Sequence, residues 1–212
     1  ASHLIIIVIN WLQVMSLFNL FTIGYSGFAI EDFIAVLKKN SIGALVDIRS
    51  SPYSSHFKDY DITNLKCLLN KNMIYYLFLG NELGARPNDH SLYTNRVADF
   101  SKMAESELFI DGCARVREGL NKFSICLMCA EKDPATCHRA ILVANNFRNI
   151  YPEIKIFHIH SQSKIEPQEK LDRRIMSMYK LEQENLLKDE AERQKEAYLL
   201  QEKKIAYNLE SE

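Results

Sequence analysis

Five short apolar runs, at residues 18–23, 44–48, 74–79, 123–128 and 154–159, are separated by segments that repeat their apolar residues at helical spacing. This alternation constrains the fold more than any other feature of the chain. Runs of five or six residues are too short for core helices. Without polar alternation they suit strands covered on both faces. The intervening segment 29–39 carries Ile30, Phe33, Ile34 and Leu37 on one helical face, and helices are expected at 62–69, in one or two pieces between about 92 and 120, and at 134–149. Strand and helix in strict turn predict an α/β three-layer sandwich around a mostly parallel sheet of about five strands.

In such a sheet, ligands gather beyond the carboxyl ends of the strands. Polar clusters follow four of the runs: Gly24-Tyr25-Ser26, Asp47-Ile48-Arg49, Gly80-Asn81-Glu82-Leu83-Gly84 and Cys129-Ala130-Glu131. All four should meet on one sheet edge, which places a site there. The last belongs to the richest stretch, Met128-Cys129-Ala130-Glu131-Lys132-Asp133-Pro134-Ala135-Thr136-Cys137-His138-Arg139. Asp133-Pro134 reads as a helix start, with Asp as cap and Pro in the first turn. Cys137, His138 and Arg139 would then occupy the first turn, where the helix dipole favours anions and thiolates.

Each group has a functional and a bland reading. Cys129 suits a nucleophile or redox thiol, or a small buried hydrophobe. Cys137 suits a low-pKa thiol, or a side chain packed under the fourth strand. Cys129, Cys137 and His138, joined by His158 or His160, make a candidate zinc set of unfamiliar spacing; Cys129 and Cys137 could also form a disulfide. Arg49, Arg86 and Arg139 come from three loops and suit bidentate anion recognition. The alternatives are a buried pair with a neighbouring acid for Arg49, and a salt bridge to Glu131 or Asp133 for Arg139. Asp47 and Glu131 suit acid–base work, with Glu82 as a third candidate, and Asp47 suits equally a structural acceptor for loop N–H groups. Gly24-Tyr25-Ser26-Gly27 matches neither the dinucleotide fingerprint nor the Walker pattern, so no cofactor is named.

Net charge is -1 over 212 residues, which gives no electrostatic case for non-specific nucleic-acid binding, although a local patch would still allow it. Five cysteines (67, 113, 126, 129 and 137) are odd in number and lack a secreted framework's spacing, so a reducing cytoplasm is the expected setting. The first thirty residues carry no charged side chain. No Lys or Arg precedes the apolar run 4–9, and Asn10, Gln13, Ser16 and Asn19 break up the next ten residues, so a soluble reading is preferred to a membrane anchor. Met15 reads as a natural start, with residues 1–14 non-native or flexible. Residues 15–165 read as the α/β domain. Residues 166–212, rich in Glu, Lys, Gln and Arg, read as a charged extension forming one long exposed helix. Its stripe of Leu171, Ile175 and Met178 could dock, dimerise the chain or bind a partner.

Thr22-Ile23-Gly24-Tyr25-Ser26, Val46-Asp47-Ile48-Arg49-Ser50-x-Pro52, Phe78-Leu79-Gly80-Asn81-Glu82-Leu83-Gly84 and the Met128–Arg139 stretch, in that order, resemble the DUF488 family of bacteria and archaea. The resemblance spans about residues 18–160. Its motif positions correspond here to Gly24, Ser26, Asp47, Arg49, Pro52, Leu83, Gly84, Cys129, Glu131, Pro134, Cys137, His138 and Arg139. Tyr25 stands where members often have His, and Ala85 where many have a second Gly. The resemblance implies the fold and the location of the site; the family brings no established reaction. Together these readings assign Cys129, Glu131 and Asp47 to catalysis. They assign Gly24, Tyr25, Ser26, Arg49, Pro52, Gly84, Arg86, Cys137, His138 and Arg139 to holding a small anionic or nucleotide-like ligand. Hydrolysis or group transfer on a phosphorylated ligand is the leading expectation. The alternatives are a non-catalytic nucleotide or nucleic-acid binding module, and a thiol or zinc protein.

Overall fold

The computed structural model describes residues 18–54, 57–183 and 187–211; residues 1–14, read from sequence as non-native or flexible, lie outside them. The chain is an α/β protein. Its central sheet has the order β3-β2-β6-β1-β7-β8, built from β1 (Asn19–Gly24), β2 (Ala44–Asp47), β3 (Tyr75–Phe78), β6 (Ile125–Cys129), β7 (Lys155–Ile159) and β8 (Ile165–Pro167). The five expected strands pair in parallel. The sixth, β8, adds antiparallel to β7 and closes one edge. A small hairpin of β4 (Tyr93–Thr94) and β5 (Val97–Ala98) stands apart from this sheet. Its turn residues Asn95 and Arg96 have φ of 50° and 67°, as a two-residue hairpin turn requires.

Period-two alternation divides the core in two. Ile23, Leu45, Cys126 and Met128 face the helices Ile30–Lys39 and Ile62–Lys71, through Phe33, Leu37, Leu65 and Leu69. Val46, Leu127 and Cys129 face the other side, with Phe109 and Val116 of the helix Glu107–Gly119. Cys129 therefore points to the same layer as Cys137.

Two expectations change. The helix expected at 134–149 is broken. A short 3₁₀ turn, Pro134–Thr136, comes first, then Cys137 in extended conformation, then a π-helical segment Arg139–Ala144 running into the α-helix Asn145–Ile150. Cys137 (φ -132°, ψ 139°) leaves the helical path and lies buried instead of occupying a first turn. The charged extension also departs from a single exposed helix. It forms Gln168–Met178 and Glu190–Ile205, which pack on each other and on the core. Leu171 and Ile175 of the expected stripe are buried, whereas Met178 is exposed. The second helix buries Ala197, Tyr198, Arg193 and Gln201. Among the described residues no helix is long and apolar enough to cross a membrane.

A buried polar chain ties these helices to the sheet. Thr22 Oγ1 lies 2.8 Å from His158 Nδ1, and His158 Nε2 lies 3.0 Å from Gln168 Oε1. Gln168 Nε2 donates to Asp172 and to the Tyr198 hydroxyl, and that hydroxyl donates to Asp172. Burial, helped by the nearby Arg139 charge, pushes the His158 pKa down to about 3. The unfolded chain takes up a proton near pH 6.5 that the folded protein refuses. Below that pH, His158 should therefore cost stability by up to about 1.4 kcal/mol per pH unit, until about pH 3. Melting temperatures at about pH 7 and pH 5 check this: the fall should be smaller in His158→Gln than in the wild type. Equal falls would remove His158 as the cause.

A buried cluster of two thiols, an imidazole and a carboxylate

The carboxyl ends of β1, β6 and β2 lie side by side: Gly24 pairs with Cys129, and Asp47 with Met128. Cys129 ends β6. The chain then turns outward through Glu131 and Asp133 and comes back to bury Cys137 and His138. Asp133 caps the 3₁₀ turn as expected, accepting from Ala135 N at 2.9 Å. The return brings four donor atoms together: one each from Cys129, Glu131, Cys137 and His138, all within 4.8 Å of one another.

One carboxylate oxygen, Glu131 Oε2, lies 3.0 Å from Cys129 Sγ and 2.9 Å from Cys137 Sγ. His138 Nδ1 lies 3.5 Å and 3.9 Å from the same two sulfurs. The opposite ring nitrogen, Nε2, lies 3.1 Å from the main-chain oxygen of Ile48. A carbonyl only accepts, so Nε2 carries a proton and Nδ1 faces both sulfurs; burial opposes the charge on the ring, but Cys137 and Glu131 outweigh it and raise the His138 pKa. Cys137 is 1% exposed, Cys129 3% and His138 8%, whereas Glu131 sits at the surface and turns its carboxylate inward. Burial pushes the Cys129 thiol well above its ordinary pKa, and Cys137 and Glu131 push it further. Burial also opposes ionisation of Cys137, but a hydrogen bond from Cys129 and the charges of Arg139 and His138 hold its pKa well below the usual thiol range. Burial and Cys137 raise the Glu131 carboxyl.

The arginines serve the scaffold. Asp47 accepts from Arg49 Nε at 2.9 Å and Nη2 at 2.6 Å, and also from Tyr76 Oη at 2.7 Å. This is the buried pair that was the structural alternative for Arg49 and the structural-acceptor role for Asp47. Arg139, fully buried, donates to the main-chain oxygens of Glu131 at 2.6 Å and Lys132 at 3.1 Å. It thereby holds the loop by its backbone, in place of the salt bridge to a Glu131 or Asp133 carboxylate that its sequence position suggests. Arg86 is exposed, with its guanidinium 4.4 Å from the Tyr207 ring centre and its main-chain N–H on Ser50 Oγ. Glu82 pairs with Arg115.

The remaining expected residues shape the walls. Tyr25 and Ser26 donate their main-chain N–H groups to the oxygens of Cys129 and Ala130, and the Tyr25 ring stacks on Tyr60 at 4.3 Å. Pro52 is buried and its carbonyl accepts from Ile62 N. A Cβ on Gly84 would meet Gly80 O and Ser50 Oγ, and a Cβ on Gly24 would land on the carbonyl oxygen of Glu131. The Gly24 contact is backbone on backbone and cannot be relieved by a rotamer. Gly24→Ala should therefore displace the Glu131 loop and destabilise the protein by about 1–3 kcal/mol or more, read as a lower urea midpoint; an unchanged midpoint would contradict the close approach.

Of the two histidines expected to complete a metal set, His158 belongs to its own buried chain and His160 lies 2.8 Å from Glu166. The fourth donor atom beside those of Cys129, Cys137 and His138 comes from Glu131. The Ile48 carbonyl was beyond sequence reasoning, because it acts through the backbone. In comparisons with known proteins, the family described as "Domain of unknown function DUF488" matches residues 29–145. No curated protein and no solved structure matches the chain.

Proposed function

This chain belongs to the DUF488 family, and from the geometry of its buried cluster we propose that it is a metalloprotein holding a zinc-class divalent ion on Cys129, Cys137 and His138, with Glu131 as an exchangeable fourth ligand. The convergence of the four donor atoms carries this reading. With metal–sulfur bonds near 2.3 Å and metal–nitrogen bonds near 2.0 Å, a tetrahedron separates sulfur from nitrogen by about 3.5 Å. The sulfur–Nδ1 distances of 3.5 and 3.9 Å fit that figure. Glu131, hydrogen-bonded to both thiols, would withdraw by about half an ångström to coordinate. The Ile48 carbonyl, accepting from His138 Nε2–H, is the outer partner a metal-ligating imidazole needs.

Exposure divides the ligands by role. Three are sealed in the protein, and one sits where solvent or a substrate can replace it. Three protein ligands and an open place are the pattern of a catalytic site. A metal there lowers the pKa of bound water and polarises a substrate oxygen, and a displaced Glu131 would stand beside it as general base. Hydrolysis is therefore the proposed reaction class. An anionic substrate would be held by the metal rather than by Arg49 or Arg139, both of which are buried and already bonded to Asp47 and to the Glu131 and Lys132 carbonyls, with only Arg49 Nη1 and Arg139 Nε left unpartnered among the described residues. A thiolate nucleophile at Cys137 would have to reach its target from a residue that is 1% exposed, which favours the metal reading.

Cobalt titration of chelator-treated protein tests this. Wild type should develop a sulfur-to-cobalt absorption band and the visible bands of a tetrahedral site. Glu131→Gln should keep the sulfur band while becoming more responsive to added azide. Absence of the sulfur band would overturn the proposal.

A further inference from the structure

The loop between Glu131 and Cys137 supplies two of the four donors, and its geometry is imposed from outside the stretch that the family match covers. Arg174, on the helix Gln168–Met178, donates Nη1 and Nη2 to the two oxygens of Asp133 at 2.9 and 2.8 Å. The same guanidinium donates Nε and Nη2 to Glu166 at 3.0 and 2.9 Å, and Glu166 also meets His160. Gln201, on the helix Glu190–Ile205, donates Nε2 to the carbonyl of Ala135 at 2.7 Å. Its Oε1 accepts from the Tyr179 hydroxyl at 2.7 Å, so the amide is oriented before it reaches the loop. Both contacts fall between the two ligands, on Asp133 and Ala135. Arg139 grips the Glu131 and Lys132 carbonyls of the same loop.

We propose that the two C-terminal helices brace the ligand loop, with Arg174 and Gln201 as positioning residues that hold Glu131 and Cys137 at coordinating distance from Cys129 and His138. This rests on the metal reading for its function, but the brace itself can be tested without metal. A planar guanidinium bidentate to one carboxylate and shared with a second fixes direction as well as distance. Outer partners of metal ligands commonly contribute about 10- to 100-fold in metal affinity.

The experiment measures two rates. The first is zinc release from reconstituted protein to a chromogenic chelator. The second is modification of Cys129 and Cys137 by a disulfide reagent in metal-free protein, with exposed Cys67 as the internal reference. Arg174→Ala and Gln201→Leu are each expected to raise both rates about tenfold or more. Arg148→Ala is the control, because it breaks an ion pair to Asp172 in the same helix without touching the loop. It should lower the melting temperature and leave both rates within about twofold, setting general destabilisation apart. Asp133→Asn keeps the acceptor that caps Ala135 but weakens the ion pair. It should add nothing to Arg174→Ala in the double variant. If the control raises both rates as much as Arg174→Ala, or if neither Arg174→Ala nor Gln201→Leu changes thiol reactivity, the brace is overturned. If wild type takes up no zinc but the thiol rates respond as stated, the brace stands and the metal reading fails.

Discussion

Cys137→Ser is expected to weaken zinc binding by about a hundred- to a thousandfold, measured by competition with a chelator of known affinity. The magnitude follows from the size of the whole. A four-ligand zinc site with thiolates is worth about 10–16 kcal/mol in apparent binding free energy near pH 7, so one ligand carries about 2.5–4 kcal/mol. Serine keeps the shape of the side chain but supplies an oxygen that stays protonated at neutral pH. The position is sensitive for a structural reason as well. Cys137 reaches the cluster only because it leaves the helical conformation, and its sulfur stands 2.9 Å from the carboxylate oxygen that also meets Cys129. Cys67→Ser, at an exposed thiol on the far helix, should leave zinc affinity unchanged. Wild-type affinity in Cys137→Ser would remove Cys137 from the ligand set.

The second large effect is expected on stability, from Asp47→Ala. Asp47 is fully buried and takes donors from the Arg49 side chain, the Arg49 main-chain N–H and the Tyr76 hydroxyl. Burial opposes the charge on Arg49, but its bond to Asp47 outweighs that and raises the guanidinium pKa above its ordinary value. Removing the carboxylate leaves a charged guanidinium, 5% exposed, without its counter-ion. Breaking a buried pair in this way costs about 3–5 kcal/mol, read from urea unfolding at neutral pH. Replacing both members with apolar residues, Asp47→Leu with Arg49→Met, should cost much less, because no uncompensated charge remains. A loss below about 1 kcal/mol in Asp47→Ala would mean that Arg49 finds another partner. The pair also bears on the site, since Ile48 between its members carries the carbonyl that orients His138.

The parallel sheet was legible because its strands are short, apolar and separated by helical patterns, and the convergence of polar loops followed from the strand ends. β8 left no such trace: Ile165-Glu166-Pro167 is three residues long and ends in proline. Cys129, Glu131, Cys137 and His138 stood out by residue type, but their joint geometry depends on a helix break at Cys137 that no spacing announces. Arg49 and Arg139 read as anion binders by residue type; that their side chains bond Asp47 and two main-chain oxygens inside the protein is set by tertiary contacts that no spacing shows. The C-terminal helices looked solvated because their buried faces are built partly from Arg193, Gln201 and Asp172 rather than from a run of leucines. Gln201 and Asp172 are satisfied by partners far away in sequence, Ala135 and Arg148, and Arg193 by the main-chain oxygens of Leu181 and Lys188.

The most direct measurement is native mass spectrometry of the chelator-treated chain after equilibration with zinc. One zinc per chain, retained in wild type and lost from the Cys129→Ser/Cys137→Ser double variant, is the expected result. A metal-free wild type, or a double variant that binds zinc as tightly, would contradict the metal centre.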